Sequence, residues 1–190
     1  TTGHAWCWGW DNYGQLGDGD TTAASSKVTP VPVVGGHTFT TLTAGSFHSC
    51  GLDTTGAAWC WGRDIWGELG DGADGAPKFT PVMVVGGHTF TMVTAGLGHS
   101  CGLDTTGAAW CWGTDGNGAL GDGDTTGTSK FTPVPVVGGH TFTTLTAGSY
   151  HSCGLDTTGA AWCLGNDLNG ELGDGDATRT IKVTPVPVLA

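Results

Sequence analysis

Residues 48–62 read His-Ser-Cys-Gly-Leu-Asp-Thr-Thr-Gly-Ala-Ala-Trp-Cys-Trp-Gly, and this stretch decides the fold. Two short runs rich in small and apolar residues flank Thr54-Thr55-Gly56, a three-residue loop whose glycine suits a positive φ. The pattern predicts a β-hairpin with strands at 48–53 and 57–61. Because residues 39–44 alternate large apolar side chains with threonine, they predict a further strand before the hairpin.

The four-stranded unit is completed by a proline-containing segment and then recurs along the chain. Residues 31–34 predict the fourth strand of a unit, at a sheet edge because proline has no N–H to donate. The segment Ala-Trp-Cys-Trp-Gly ends at Gly9, Gly62 and Gly113, and a variant with leucine ends at Gly165, at spacings of 53, 51 and 52 residues. Four short antiparallel strands repeated at this period are typical of β-propeller blades.

The order of the strands gives the domain organisation. The chain starts inside a hairpin loop, so it supplies the third and fourth strands of one blade and then three complete blades. We therefore predict an all-β fold of about 3.5 propeller blades in one repeat array, 1–190. The half blade spans 1–34, and the complete blades span 35–85, 86–137 and 138–190.

Charge and composition exclude several classes of partner. The chain has 17 Asp plus Glu against 6 Lys plus Arg, a formal net charge of −11. Nucleic-acid backbones and anionic membrane surfaces require clustered basic residues, so we expect neither as a partner. No apolar run approaches the ~18 residues of a membrane span, and we expect no membrane insertion.

The ordered anchors of each unit resemble a known repeat family. They are His48-Ser49, Gly56, Trp61-Gly62, Gly67-Glu68-Leu69-Gly70 and Pro81, with their counterparts in the other units. This set is similar to the regulator of chromosome condensation repeat family, and the resemblance implies blades of a seven-bladed propeller. It permits a secreted inhibitor, because secreted bacterial propellers with this repeat include a protein inhibitor of β-lactamases. It also implies exchange on a small nuclear GTPase, which the acidity, the paired cysteines and the short chain disfavour.

The cysteines form a repeated pattern that the family lacks. Six of the seven lie in pairs ten residues apart: Cys50 and Cys60, Cys101 and Cys111, and Cys153 and Cys163. If Asp53 opposes Ala57 across the hairpin, Cys50 opposes Cys60, with Cβ atoms ~4.5–5.5 Å apart. We predict three cross-strand disulfides and an extracellular or cell-surface protein. Buried thiols are the alternative, whereas two thiolates per blade are too few for a closed zinc site.

Cys7 is the odd cysteine of the chain, since its partner would lie on a strand that residues 1–34 do not contain. Three states stay open for it. It is free, bonded between chains, or bonded to another part of a longer parent protein.

The polar residues recur with the fold, so we predict no catalytic residue and no enzyme activity. A catalytic set is one constellation in one pocket, whereas fold-building residues appear in every unit. We expect each imidazole of His48, His99 and His151 to bond a turn carbonyl, with a metal-binding or pH-sensing histidine ring as the alternative. His37, His88 and His140 are interpreted as turn residues.

The loops of the form Gly-Asp-Gly-Asp are the candidate metal-binding sites of the chain. Their carboxylates are Asp18, Asp20, Asp71, Asp74, Asp122, Asp124, Asp174 and Asp176. Calcium takes several oxygens of this kind, but the EF-hand pattern is absent and aspartate often bonds its own backbone in a turn. We expect no cofactor and no metal, with calcium as the alternative.

The tryptophans fall into repeated and unrepeated positions. Two positions on the third strand, held by Trp59 and Trp61 in the second unit, predict packing between blades, with stacking on a sugar or a partner protein as the alternative. The unrepeated residues vary at loop tips, where binding specificity usually lies. These candidate binding residues are Trp10, Tyr13, Ile65, Trp66 and Leu168.

Two functional hypotheses from different classes follow. About 3.5 blades cannot close a ring, whereas two copies hold the seven blades that the resemblance implies. The first hypothesis is an extracellular, non-enzymatic structural protein whose partners are other copies of itself, assembled through incomplete propeller edges into a ring or a fibre. The second is a secreted module that binds an extracellular protein or glycan through loop-tip aromatics. The chain as a fragment of a longer propeller is a third interpretation.

Overall fold

The computed structural model describes residues 3–22, 26–73 and 75–189. Within these ranges the regular elements are fourteen β-strands. In chain order they are β1 Trp6–Gly9, β2 Lys27–Pro32, β3 Phe39–Ala44, β4 His48–Asp53, β5 Ala58–Gly62, β6 Lys78–Met83, β7 Phe90–Ala95, β8 His99–Asp104, β9 Ala109–Gly113, β10 Lys130–Pro135, β11 Phe142–Ala147, β12 His151–Asp156, β13 Ala161–Gly165 and β14 Lys182–Pro187.

The strands form four antiparallel sheets whose spatial order follows the chain. Blade 1 is the two-stranded sheet β1–β2, and blades 2, 3 and 4 are the four-stranded sheets β3–β6, β7–β10 and β11–β14. The fold is therefore an unclosed array of propeller blades, as the sequence predicts. Among the described residues, none forms a helix with the length and apolarity that a membrane span needs.

The central hairpin of each blade is closed by an aspartate. In blade 2, Asp53 Oδ1 accepts the N–H groups of Thr55 at 2.8 Å and Ala57 at 3.1 Å, and Gly56 has a φ of +82°. This turn puts Cys50 opposite Cys60 and Leu52 opposite Ala58, which is the predicted register. Since the turn is local in sequence, the same register recurs in blades 3 and 4.

The predicted position of the fourth strand is wrong by four residues. In blade 1 this strand begins at Lys27, which pairs with Gly9 across a bulge, and it ends at Pro32. The amide of Val34 leaves the sheet and donates to the carbonyl of Gly17 in the preceding loop. The strand does lie at the edge of its sheet, where the prolines are tolerated.

Neighbouring blades pack through tryptophan side chains of β5 and β9. Trp112 is fully buried in a cluster with Phe90 and Val93 of its own blade and Leu52 and Val84 of blade 2. Trp61 occupies the equivalent place against Ala5 and Val33 of blade 1. The predicted packing of tryptophan between blades is therefore present at these two positions.

Candidate interaction site

A polar relay of a histidine, a serine and a backbone carbonyl recurs at each junction between complete blades. At the junction of blades 2 and 3, the carbonyl of Glu68 accepts both the indole N–H of Trp112 and the hydroxyl of Ser100, each at 2.9 Å. His48 Nε2 lies 2.8 Å from the same Ser100 Oγ. The expectation that this histidine bonds a turn carbonyl is wrong, because its partner is a serine one blade further along the chain.

The relay does not form a nucleophile and base pair. Because Ser100 gives its one hydroxyl proton to the Glu68 carbonyl, His48 Nε2 must be the donor to Ser100. Burial lowers the pKa of His48 to about 3, with smaller contributions from His99 and Arg63. The imidazole is therefore neutral at physiological pH, and it neither accepts the serine proton nor senses pH in that range.

A second histidine series packs against tryptophan with the two rings tilted. The ring centroids of His37 and Trp59 lie 4.0 Å apart, and the pairs His88–Trp110 and His140–Trp162 repeat this contact at 4.0 and 3.9 Å. In blade 2 the indole N–H of Trp59 also donates to Asp53 Oδ2 at 2.9 Å. The first tryptophan position therefore braces its own hairpin and also packs, partly buried, against the apolar cluster between its blade and the one before, while the second position is fully buried in that junction.

Three cross-strand disulfides are present, at the spacing that the sequence indicates. They are Cys50–Cys60, Cys101–Cys111 and Cys153–Cys163, each with a Cα–Cα distance of 4.1 Å. Cys7 is a half-buried free thiol. Burial, together with the charges of Asp11 and Asp18, raises the pKa of Cys7 to about 11, so the thiol is protonated at neutral pH.

The aspartate-rich loops each enclose a lysine ammonium. All four lysines of the chain have two carboxylates within 4 Å. In blade 3, carboxylate oxygens of Asp115, Asp122 and Asp124 lie within 4.8 Å of one another. The Lys130 ammonium is 2.6 Å from Asp124 and 3.5 Å from Asp122, so a calcium ion would have to displace it.

The other candidate carboxylates stand in equivalent loops. Asp18 and Asp20 face Lys27, Asp71 faces Lys78, and Asp174 and Asp176 face Lys182. Asp74 lies outside the described residues.

Some of the predicted loop-tip residues meet in an aromatic strip. Trp10, Tyr13 and Phe47 pack edge to face, with ring centroids 5.6–6.0 Å apart. The Arg63 guanidinium then bridges Phe47 and Trp66, at 4.2 and 4.5 Å from their ring centroids. Ile65 is exposed beside this strip, whereas Leu168 is exposed on blade 4 and is not brought to it.

Phe47 and Arg63 were missed by the sequence analysis. Arg63 is held by Glu68, a buried carboxylate at 2.6 Å. Both residues stand at positions that differ in character from blade to blade, and that variability was the available signal.

The two ends of the array expose side chains that are buried at internal junctions. On blade 1, Trp8 is 64 % exposed, whereas its equivalents Trp61 and Trp112 are 0 % exposed. On blade 4, Leu155 is 42 % exposed, whereas its equivalent Leu52 is 2 % exposed. We call the first surface the leading face, comprising Trp6 and Trp8. The second, comprising Leu155, Val188 and Leu189, is the trailing face.

Comparison with known proteins identifies this architecture. The family model for the regulator of chromosome condensation (RCC1) repeat matches residues 2–52, 55–103 and 106–155. A second model of that repeat matches residues 91–119 and 142–171. A comparison with curated proteins gives no match.

Solved structures show the same fold. Human WBSCR16 superposes with a TM-score of 0.87 at 18 % identity, covering 100 % of this chain and 49 % of that one. Yeast RCC1 (Prp20), in its complex with Kap60, gives 0.82 at 22 % identity, covering 99 % and 45 %. The ectodomain of the receptor kinase CR4 of Physcomitrella patens gives 0.51 at 31 % identity, covering 73 % and 32 %. The present chain therefore spans about half the length of the first two structures, and it belongs to the RCC1 repeat family.

Proposed function

We propose that this chain is an extracellular, non-enzymatic interaction module that assembles with other copies of itself through its two end faces. The observation that carries the proposal is the exposure of Trp8 on the leading face, at a position that is completely buried in blades 2 and 3. Each internal junction joins the leading side of one blade to the trailing side of the blade before it. The two ends of the array therefore offer parts of a junction that the chain already makes, and blade 1 lacks the strand that carries Phe90 and Val93 in that junction.

The internal junction supplies the expected contacts. Gly70 leaves a slot for Trp112, since a Cβ built on it would lie 2.8 Å from Trp112 Cδ1. In blade 4, Gly173 is the equivalent of Gly70, and the carbonyl of Glu171 is the equivalent of the Glu68 carbonyl that accepts the indole N–H. Trp8 of one copy would enter the Gly173 slot of the next. Burying about 150 Å² of indole contributes about 4 kcal/mol before association costs.

The geometry of this contact predicts the form of the assembly. Because the leading and trailing faces differ, the interface is heterologous and yields a ring if it closes or a fibre if it does not. The net charge of −11 on each copy opposes association. Salt screens this repulsion, so added sodium chloride should promote assembly.

Light scattering tests the proposal on two variants, each with an aspartate that disables one of the two faces. Trp8→Asp removes the leading face and Leu155→Asp removes the trailing face, so each variant alone should be a 19.2 kDa monomer. An equimolar mixture retains one intact face of each kind and should stop at the dimer. Trp66→Asp, an exposed tryptophan outside both faces, is the matched control and should assemble like the native chain. A monomeric native chain, or a mixture that stays monomeric, would contradict the proposal.

Extracellular localisation rests on the three disulfides, which persist in oxidising compartments. The CR4 relative, which is an ectodomain, agrees with this location. The lack of catalysis rests on the relay chemistry, since Ser100 donates to a backbone carbonyl and His48 is neutral and buried.

The aromatic strip supports a second candidate function, the binding of an extracellular protein or glycan. Trp10 and Trp66 offer exposed indoles near the Arg63 guanidinium, a combination typical of binding hot spots. Binding to an immobilised panel of oligosaccharides should fall in Trp10→Ala and Trp66→Ala and be retained in Trp8→Asp. Equal binding by all three variants would contradict this role.

A further inference from the structure

A buried carboxylate oxygen in the long loop of blade 3 has no hydrogen-bond partner. Asp115 is 1 % exposed, and its Oδ1 accepts the backbone N–H of Leu120 at 3.1 Å. Its Oδ2 is also buried, and it accepts no hydrogen bond from any of the described residues. Because burial of a charged oxygen without a partner is costly, this atom favours a cation beside it.

Two further carboxylates surround the same place. Carboxylate oxygens of Asp115, Asp122 and Asp124 lie within 4.8 Å of one another, the one such group of acidic, histidine and cysteine side chains among the described residues. Asp122 Oδ1 accepts the N–H of Asp124, and Asp124 Oδ1 accepts that of Thr126, each at 2.8 Å. The Oδ2 atoms of these two loop carboxylates then face the Lys130 ammonium, at 3.5 and 2.6 Å. We call the three aspartates the blade-3 carboxylate site.

The equivalent loop of blade 2 shows where the buried oxygen points. Asp64 is the equivalent of Asp115, and its Oδ2 lies 3.8 Å from the Lys78 ammonium. Asp71 Oδ2 lies 3.2 Å from the same ammonium. The second oxygen of the buried aspartate therefore faces the position that a cation occupies, and that cation is shared with a loop carboxylate.

The charge and spacing of the blade-3 carboxylate site suit a calcium ion. Three carboxylates carry a formal charge of −3 and the one ammonium carries +1, which leaves −2. Calcium binds oxygens at 2.3–2.6 Å, so ligands on opposite sides of the ion are about 4.6–5.2 Å apart. Oxygens within 4.8 Å of one another can therefore contact a single calcium ion. Magnesium requires near-ideal octahedral geometry at shorter distances and retains its water, so this set favours calcium.

We propose that Asp115, Asp122 and Asp124 bind one calcium ion, with Asp115 Oδ2 as the buried ligand and the Lys130 ammonium as the cation that calcium displaces. The lysine side chain is partly exposed, so its ammonium can turn to solvent as calcium enters. This inference favours the alternative of calcium over the expectation of no metal. It is independent of the proposed function, because neither the end faces nor the aromatic strip contributes a residue to the site.

Isothermal titration of the intact, chelator-treated chain with calcium chloride tests the proposal. We expect one calcium ion per chain with a Kd of about 0.1–1 mM, the range of extracellular modules, and weaker binding of magnesium chloride. Asp115→Asn keeps the Oδ1 acceptor for the Leu120 N–H but removes the charge, and it should abolish binding. Asp124→Asn, in the less buried part of the loop, should weaken binding by about tenfold, so the test does not depend on the folding of the first variant.

Two more variants separate a calcium ligand from a merely structural aspartate. Asp64→Asn is the matched control and should leave calcium binding unchanged, because blade 2 has Ala73 at the position of Asp124. Lys130→Met keeps the apolar stem without the competing ammonium and should tighten the Kd by about tenfold. Calcium at about 10 mM should also raise the melting temperature of the native chain by about 3–6 °C, and not that of Asp115→Asn.

Several results would overturn the calcium site. They are no binding by the native chain, equal binding of magnesium, binding that both aspartate variants retain in full, or an unchanged Kd in Lys130→Met. Binding by Lys130→Met but not by the native chain would also overturn it, since the lysine would then be the permanent cation of the blade-3 carboxylate site.

Discussion

Replacing Trp112 tests the inter-blade packing most directly. Trp112 is fully buried between blades 2 and 3, and truncation of a buried tryptophan to alanine costs about 3–5 kcal/mol of unfolding free energy. The chain itself contains a milder substitution, because blade 4 has Leu164 at the equivalent position, 4 % exposed. A Cβ built on Gly121 would lie 2.7 Å from Leu164, so leucine fills the same slot.

Trp112→Leu should therefore cost only about 1–2 kcal/mol, most of it from one lost hydrogen bond and a smaller side chain. The Glu68 carbonyl stays satisfied, since Ser100 still donates to it at 2.9 Å. Trp66→Ala, at an exposed tryptophan that stacks on Arg63, is the control and should cost about 1 kcal/mol. Urea unfolding without reductant, followed by circular dichroism, measures the unfolding free energy of Trp112→Ala, Trp112→Leu and Trp66→Ala. If the leucine and alanine variants are equally destabilised, the slot is not shared between blades and the reasoning is wrong.

Three further predictions concern covalent and charged groups. Reducing the cross-strand disulfides should lower the unfolding free energy by about 2–3 kcal/mol per bridge, measured as a shift of the urea midpoint. Burial raises the pKa of Asp64 to about 7 and that of Asp115 to about 6, above the unfolded value of about 4. Protonation of these carboxyls therefore favours the folded state, and the free energy of unfolding should fall as pH rises from about 4 to 7. Asparagine at both positions should flatten this pH dependence, which thermal melts at several pH values measure. Arg63→Met should cost about 3–5 kcal/mol because it leaves Glu68 buried and unpaired, and adding Glu68→Gln should restore most of it. An Arg63→Met variant as stable as the native chain would contradict the last prediction.

The parts of the fold that the sequence predicted are those set by local geometry. A three-residue loop fixes which residues face each other across a hairpin, so the ten-residue spacing of Cys50 and Cys60 was enough to place a disulfide. The start of the fourth strand was misplaced because an irregularity beside Gly9 adds two residues to β2 relative to β1, and no local signal marks it.

The contacts between blades were harder to predict, since they join residues about one repeat apart. His48 and Ser100 are 52 positions apart in sequence, and nothing near either residue indicates the other. The recurrence of the His-Ser pair was the available signal. Because every complete blade carries this pair at the same position of its sheet, stacking of the blades brings the histidine of one blade against the serine of the next. The bond between Arg63 and Glu68 had no repeated counterpart and could not be found in this way.

Every blade of a repeat array has the same two faces, and an outermost face has no neighbouring blade to cover it. Solenoid and array proteins commonly cover their terminal faces with polar residues. Here blade 1 has Trp8 and blade 4 has Leu155, the same residue types that internal junctions bury. In the proposed assembly these two exposed residues meet in a single interface, so Trp8→Asp and Leu155→Asp are tested as a pair rather than each in isolation.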